Sequence, residues 1–281
     1  MPGDAFFQAN PFETGVGHFW GISETRPYMT ARYKLVDTLM KNFGGQGGHV
    51  DAVQTALDHL LDMLRLCRGD NMGVRDVAPA MFVRLGKDQA AYDFLKWYET
   101  TGAEEDYDWG NTELGFLNLK GADVLEPLGD MWSTGYLGFS HAVVVLLLKV
   151  RVLLDLQAIQ NATRVLHDTV PPEIIQLVRD QLVGSVVGSR SDILNSGPDK
   201  IATLIQSIKG QVKQLYKTTN NYNDHFWKWM LKDPAYAIAA RPEAYSAKTE
   251  EEAFLVIGYT YYAWAETPGA IDMIKSLRKA I

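Results

Sequence analysis

Apolar positions recur at helical spacing over most of the chain. In His49–Leu66 they fall at Val53, Ala56, Leu57, Leu60, Leu61 and Leu64, one stripe of a helix. Tyr28–Lys41 places Tyr28, Ala31, Leu35, Val36 and Leu39 together. Gly73–Leu85 follows the capping pair Asp70-Asn71, and Gln89–Glu99 turns Ala91, Phe94, Leu95 and Tyr98 inward. Two of these predicted helices overlay: Ala56, Leu60 and Met63 recur as Ala91, Leu95 and Tyr98, 35 residues on. A small residue followed four and seven positions later by larger apolar ones is a packing seam. A repeat of about 34 residues is the period of stacked helical hairpins, which leave a concave face open. Pro79 is expected to kink its helix, and the glycines of 44–48 to force a turn after a helix, not a phosphate cradle after a strand.

The periodicity lapses over 101–138, predicted as an acidic connection. Ser140 is expected to cap a long helix, His141–Gln160, apolar nearly all round in its first half and therefore central. Further helices are predicted at Glu173–Val187, from Pro198 through Tyr216, at Asn220–Lys232, at Glu250–Ala265 behind a Thr249/Glu252 capping box, and from Pro268 to near Lys279. No stretch alternates with period two for long. The expected class is all-α: right-handed helical hairpin repeats extended by a C-terminal helical bundle. The expected divisions are an irregular aromatic arm (1–25), repeats (26–100), the acidic connection and a bundle (139–281) that forms one compact unit with the repeats.

Composition narrows the class further. With 47% apolar and 22% charged residues the chain reads as an ordinary globular protein. A net charge of −7 argues against nucleic-acid binding, which needs clustered Lys and Arg. The strongest apolar run, Ala142–Leu148, is far short of the roughly 20 residues of a membrane span. Met1–Gly21 lacks the basic and apolar regions of a secretory leader. The lone cysteine, Cys67, leaves no disulfide framework and no Cys-rich zinc site. The expected compartment is the cytoplasm, with the nucleus left open.

The string Glu24-Thr25-Arg26-Pro27-Tyr28-Met29 with Ala31-Arg32 resembles the opening of tetratricopeptide-like proteins. Ala56–His59, Met63–Leu66 and Asp70–Arg75 look like the same group's second helix and turn, and Tyr262–Ala270 also resembles it. The nearest likeness is to uncharacterised fungal proteins, many of which add a MYND-type zinc finger. The resemblance implies a helical scaffold that binds other proteins. With one cysteine the finger is absent, and zinc is not carried over.

Candidate chemistry is sparse. Arg26, Arg32, Arg75, Asp70 and Asp76 cluster at helix ends, where they could clamp a carboxylate or peptide terminus or form a capping network. With Tyr28 and Trp20, the residues Arg26, Arg32, Arg75 and Asp76 are the expected partner-binding set on the concave side of the first four helices. The alternative is an enzyme or small-molecule carrier with an aromatic pocket between the helices beginning at His141, Asn220 and Glu250. That pocket would use His141, Tyr222, His225, Trp229, Tyr259, Tyr262 and Trp264. From Glu99 to Asp130 nine acidic residues face one lysine, but Asp106, Asp108, Glu113 and Asp123 match no cation-loop spacing. Lys209, Lys213 and Lys217 share one helix face and are expected to be solvated, or to meet the acidic stretch of another copy in a homo-oligomer. Cys67, flanked by Arg65 and Arg68, is expected to be a structural thiol. No metal or cofactor is expected, and the sequence names no catalytic residue.

Overall fold

The structure is a computed structural model, and it describes residues 10–129, 132, 138–165 and 172–280. Among them are fourteen α-helices and no strand, which is the all-α class expected. Residues 1–9 of the predicted arm and most of 130–137 lie outside the described residues.

After a single turn, α1 (Pro11–Thr14), and two 3-10 turns come α2 (Arg26–Phe43), α3 (Val50–Leu66), α4 (Val74–Arg84) and α5 (Asp88–Glu99). Each packs on the next, and both predicted seams are buried: Ala56, Leu60 and Met63 on α3, Ala91, Leu95 and Tyr98 on α5. Helix α4 runs through Pro79 without a break.

The long helix α6 (Phe139–Val165) begins two residues before the predicted start, so Ser140 lies inside it and does not cap it. Every residue from Phe139 to Leu153 is buried. The helix packs most extensively on α10 (Pro198–Tyr222) and also touches α4, α5 and α13. Between them lie α7 (Pro172–Asp180), α8 (Ser185–Gly188) and α9 (Ser191–Leu194). The single helix expected over 173–187 is broken because Asp155 on α6 takes the Val183 and Gly184 amides, at 2.7 and 3.0 Å. The chain ends with α11 (Asp224–Lys232), α12 (Pro234–Ala240), α13 (Glu250–Ala265) and α14 (Ala270–Ala280). Asn223 separates α10 from α11 by capping the latter through the His225 amide. One apolar cluster runs from Phe19 to Ile274.

The buried charges of α6 are each paired, as burial requires. Lys149 Nζ donates to the carbonyls of Val124 (2.6 Å) and Glu126 (2.9 Å) and lies 5.7 Å from the Tyr92 ring centre. Asp93 accepts from Gly121 and Ala122, both at 2.9 Å, and Glu126 pairs with Lys96 at 2.7 Å. The acidic connection is thus bound along α5 through its backbone, with Tyr107 and Trp109 edge-on to Trp97. Asp106, Asp108 and Glu113 remain exposed. Arg151 donates to Asp88 (3.0 Å), Thr267 (2.8 Å) and the Val183 carbonyl.

Burial, opposed by the Val183 and Gly184 amides and Arg151, raises the Asp155 carboxyl from 3.8 to about 7. The folded state then holds this proton more tightly than the unfolded chain, so Asp155 makes stability fall as pH rises from 3.8 to about 7. Denaturant titrations across that range are expected to show a steeper decline in the wild type than in Asp155→Asn. Parallel profiles would refute the assignment.

Candidate functional site

Helix α13 lies against α4, although some 180 positions separate them in the chain. On one side of this pair stands α2, on the other α12 and the exposed segment 241–249. Between these walls lies a hollow of about 550 Å³, and adjoining it at Leu255 and Tyr259 is a second of about 350 Å³, bounded by the start of α4, by α6, α10 and α13, and by Tyr245. The larger is floored by Val36, Met40, Val77, Met81 and Phe254, beside Gly258. A side-chain carbon added at Gly258 would meet nothing within 4 Å. A glycine inside a helix costs roughly 0.5–1 kcal/mol relative to alanine, and no neighbour here requires it. Its effect is to bare the α13 backbone to the hollow.

Arg84 closes one end. Its guanidinium, nearly buried, grips Glu266 at 2.7 and 2.8 Å and takes the carbonyls of Gly44 and Gly45 at 2.6 and 2.9 Å. The glycine turn predicted at 44–48 is therefore held as the seat of an arginine. Across the mouth Arg241, left-handed at φ 41°, reaches Asp37 at 3.3 Å, an exposed pair of little energetic weight. In the middle, Tyr33 and Tyr259 both line the larger hollow, and burial pushes both phenols up.

The smaller hollow forms where α4 begins. Asp70, held at φ 48°, accepts from the amides of Val74 and Arg75, both at 2.9 Å, and so caps α4 as its sequence position suggests. Burial nonetheless pushes its carboxyl up. One turn on, Asp76 accepts from the Ser140 hydroxyl at 2.6 Å. Pro79 has no N–H to give the Arg75 carbonyl, four residues back. His141 of α6 supplies it: Nε2 lies 3.2 Å from that oxygen, and Nδ1 lies 3.1 Å from Glu99. From α13, the buried Glu252 accepts from Tyr222 (3.2 Å), Asn223 (3.0 Å) and the Lys248 amide (2.7 Å). Only half of the predicted capping box forms: Thr249 receives the Glu252 amide, but the carboxylate goes to these other donors. Burial, with Glu252 beside it, pushes the Tyr222 phenol up to about 12.

Of the expected partner-binding residues, Asp76 alone lines the hollows. Arg26 is spent on Trp20, donating to its carbonyl at 2.8 Å and covering its ring at 5.6 Å. Arg32 turns toward α3, where it meets His59 (3.1 Å) and pairs with Asp62, and it also donates to Tyr28 at 3.1 Å. Arg75 lies over the Tyr98 ring at 5.6 Å. Of the alternative set, Tyr222, Tyr259 and Tyr262 line the hollows. His141 stands behind Ser140, buried. Trp264 is core, edge-on to Trp227. Trp229 stacks on Tyr236 and donates to Glu250 at 2.6 Å, with His225 3.5 Å from the same carboxylate. Tyr33, Met81, Gly258 and Tyr245 were not anticipated; the mid-helix glycine was the one sign of them in the sequence. Cys67 is buried against Asn71, Lys209, Lys213 and Lys217 are exposed, and no metal-binding group of three appears among the described residues.

No family model matches the chain, and neither a curated protein nor a solved structure shows significant similarity to it.

The Pro79–His141 exchange is open to a double-mutant cycle. His141→Leu is expected to cost about 1–3 kcal/mol in urea denaturation by leaving buried acceptors unmet. In a Pro79→Ala background, where the backbone regains its N–H, the loss should shrink by about 1 kcal/mol. Equal losses in both backgrounds would show that the ring does not replace the missing donor.

Proposed function

We propose that this protein is a helical interaction scaffold that binds an extended segment of a partner protein in the cleft along α13. The observation that carries this reading is the run of two hollows meeting at Leu255 and Tyr259, one turn apart on a single helix. An elongated, open-sided trough suits a chain laid along it. Met40 and Met81 give it an adaptable floor, and Gly258 lets a backbone come close. On this reading α2–α3 and α4–α5 are tetratricopeptide-like pairs, supported by their repeated small-residue seams. The concave side is completed by α13. Kinship with the MYND-associated fungal proteins, and work in the cytoplasm, belong to the same proposal. A second reading, a carrier of a small apolar molecule, draws support from the larger hollow, whose volume falls in the range of ligand pockets.

A displayed random-peptide library selected on the protein tests the first reading. Enriched sequences should share an apolar anchor residue. A labelled consensus peptide should bind Gly258→Trp, which plugs the larger hollow, at least about tenfold more weakly. Gly258→Ala, with no neighbour to strike, should raise stability by about 0.5–1 kcal/mol. No enrichment, or equal binding by Gly258→Trp, would overturn the proposal.

A further inference from the structure

We infer that the smaller hollow is a binding site for an organic ammonium group, which Phe139, Tyr222, Tyr245 and Tyr259 would flank and Asp76 and Glu252 would neutralise. The inference rests on the cleft being a ligand site, and it adds the chemistry that one end of it selects.

Charge is the first ground. Glu252 is buried, yet its donors are all neutral: a phenol, an amide side chain and a backbone N–H. A buried carboxylate without a cation is costly, and the hollow it faces is where a cation can enter. Asp76 likewise has the Ser140 hydroxyl as its close donor. The basic side chains behind the hollow serve other carboxylates. Arg75 stands 3.9 Å from Asp70 and covers Tyr98, while His141 lies closer to Glu99, at 3.1 Å, than to Asp76, at 3.9 Å. None of the hollow's lining residues is basic.

Aromatic walls are the second ground. Phe139 and Tyr222 stack at 5.0 Å, and Tyr245 reaches in from the exposed segment, itself largely in solvent. Ring faces carry negative potential and attract ammonium groups, quaternary ones included. Tyr222 already accepts one: Lys248 Nζ lies 5.5 Å from its ring centre. The phenols register the same field. Burial raises Tyr222 and Tyr245; Glu252 adds to it at Tyr222, and Asp76 and then Glu252 add to it at Tyr245, where Arg75 opposes them. A metal ion suits the site poorly, because two carboxylates with a hydroxyl offer few of the oxygens a hard cation needs.

Ligand-observed NMR titrations on the full chain test this with choline, its uncharged isostere 3,3-dimethylbutan-1-ol, and N-acetyl-lysine methylamide. Choline represents a free small ammonium, and the lysine derivative a side chain of a bound segment. At least one of the two cations should bind saturably, with the isostere at least about tenfold weaker. Tyr245→Ala, a change in an exposed segment, and Asp76→Asn should each weaken binding roughly three- to thirtyfold with the melting temperature of Tyr245→Ala unchanged. Gly258→Trp should leave cation binding intact, and cation binding by a protein that enriches no peptide would sink the scaffold reading while leaving the ammonium site standing. Tighter binding of the lysine derivative assigns the site to a partner's side chain, and tighter binding of choline to a free molecule. Absence of binding by both cations, or equal binding of the isostere, overturns the inference.

Discussion

Lys149, Arg151 and Asp155 are charged side chains on a helix that is buried along most of its length, and the rest of the fold is arranged around satisfying them. Taking ionisable groups like these out of water costs several kcal/mol each where they are charged, unless their hydrogen-bonding positions are filled. Here most of the partners are backbone groups of irregular segments: the carbonyls of Val124, Glu126 and Val183, and the amides of Val183 and Gly184. Apolar packing alone would hold α6 in the core in many rotations and registers. The polar clamps admit one, because any shift orphans both the charge and the backbone groups it meets. Gly184 sits so close to Asp155 and Asp88 that an added side-chain carbon would stand 2.9 Å from a carboxylate oxygen of each.

The cleft follows from this arrangement. Arg151 reaches Thr267, just past the end of α13, and Arg84 holds the neighbouring Glu266. At the other end, Asn223 ties Glu252 and the Thr249 carbonyl to the α10–α11 junction. With both ends of α13 fixed by polar bonds, its middle need not be packed flush against α2. The space beside Leu255, Gly258 and Tyr259 remains open, and the local cap at Asp70 with the long-range pairing of His141 shapes its acidic end.

How much of this can be read from the chain depends on the range of the interaction. The seams at Ala56–Met63 and Ala91–Tyr98, the encircling apolar pattern of α6 and the Asp70 cap each depend on a few neighbouring residues, and each is visible as spacing. Helix α12 also had a local signal, Asp233 before Pro234, whose carboxylate caps the Tyr236 amide at 3.0 Å. The break at 181–184 had none, because it is imposed by Asp155 from α6. The arginines near the first turns suggested a binding face, yet Arg26 and Arg32 are consumed by pairing with Trp20, His59 and Asp62. The cleft wall itself joins α4 to α13 across most of the chain, and no helical period records such a meeting. Tyr222 and Tyr259 were legible as aromatic positions, but not as lining residues.

Native-state hydrogen exchange measures the polar clamps most directly, that of Asp155 on α6 at Val183 and Gly184 and that of Asp93 on α5 at Gly121 and Ala122. If the buried charges hold the irregular segments, the amides of Gly121, Ala122, Val183 and Gly184 should exchange as slowly as those in the middle of α6, through global unfolding. Exchange of these four at the rates of exposed loops, while α6 stays protected, would contradict the account.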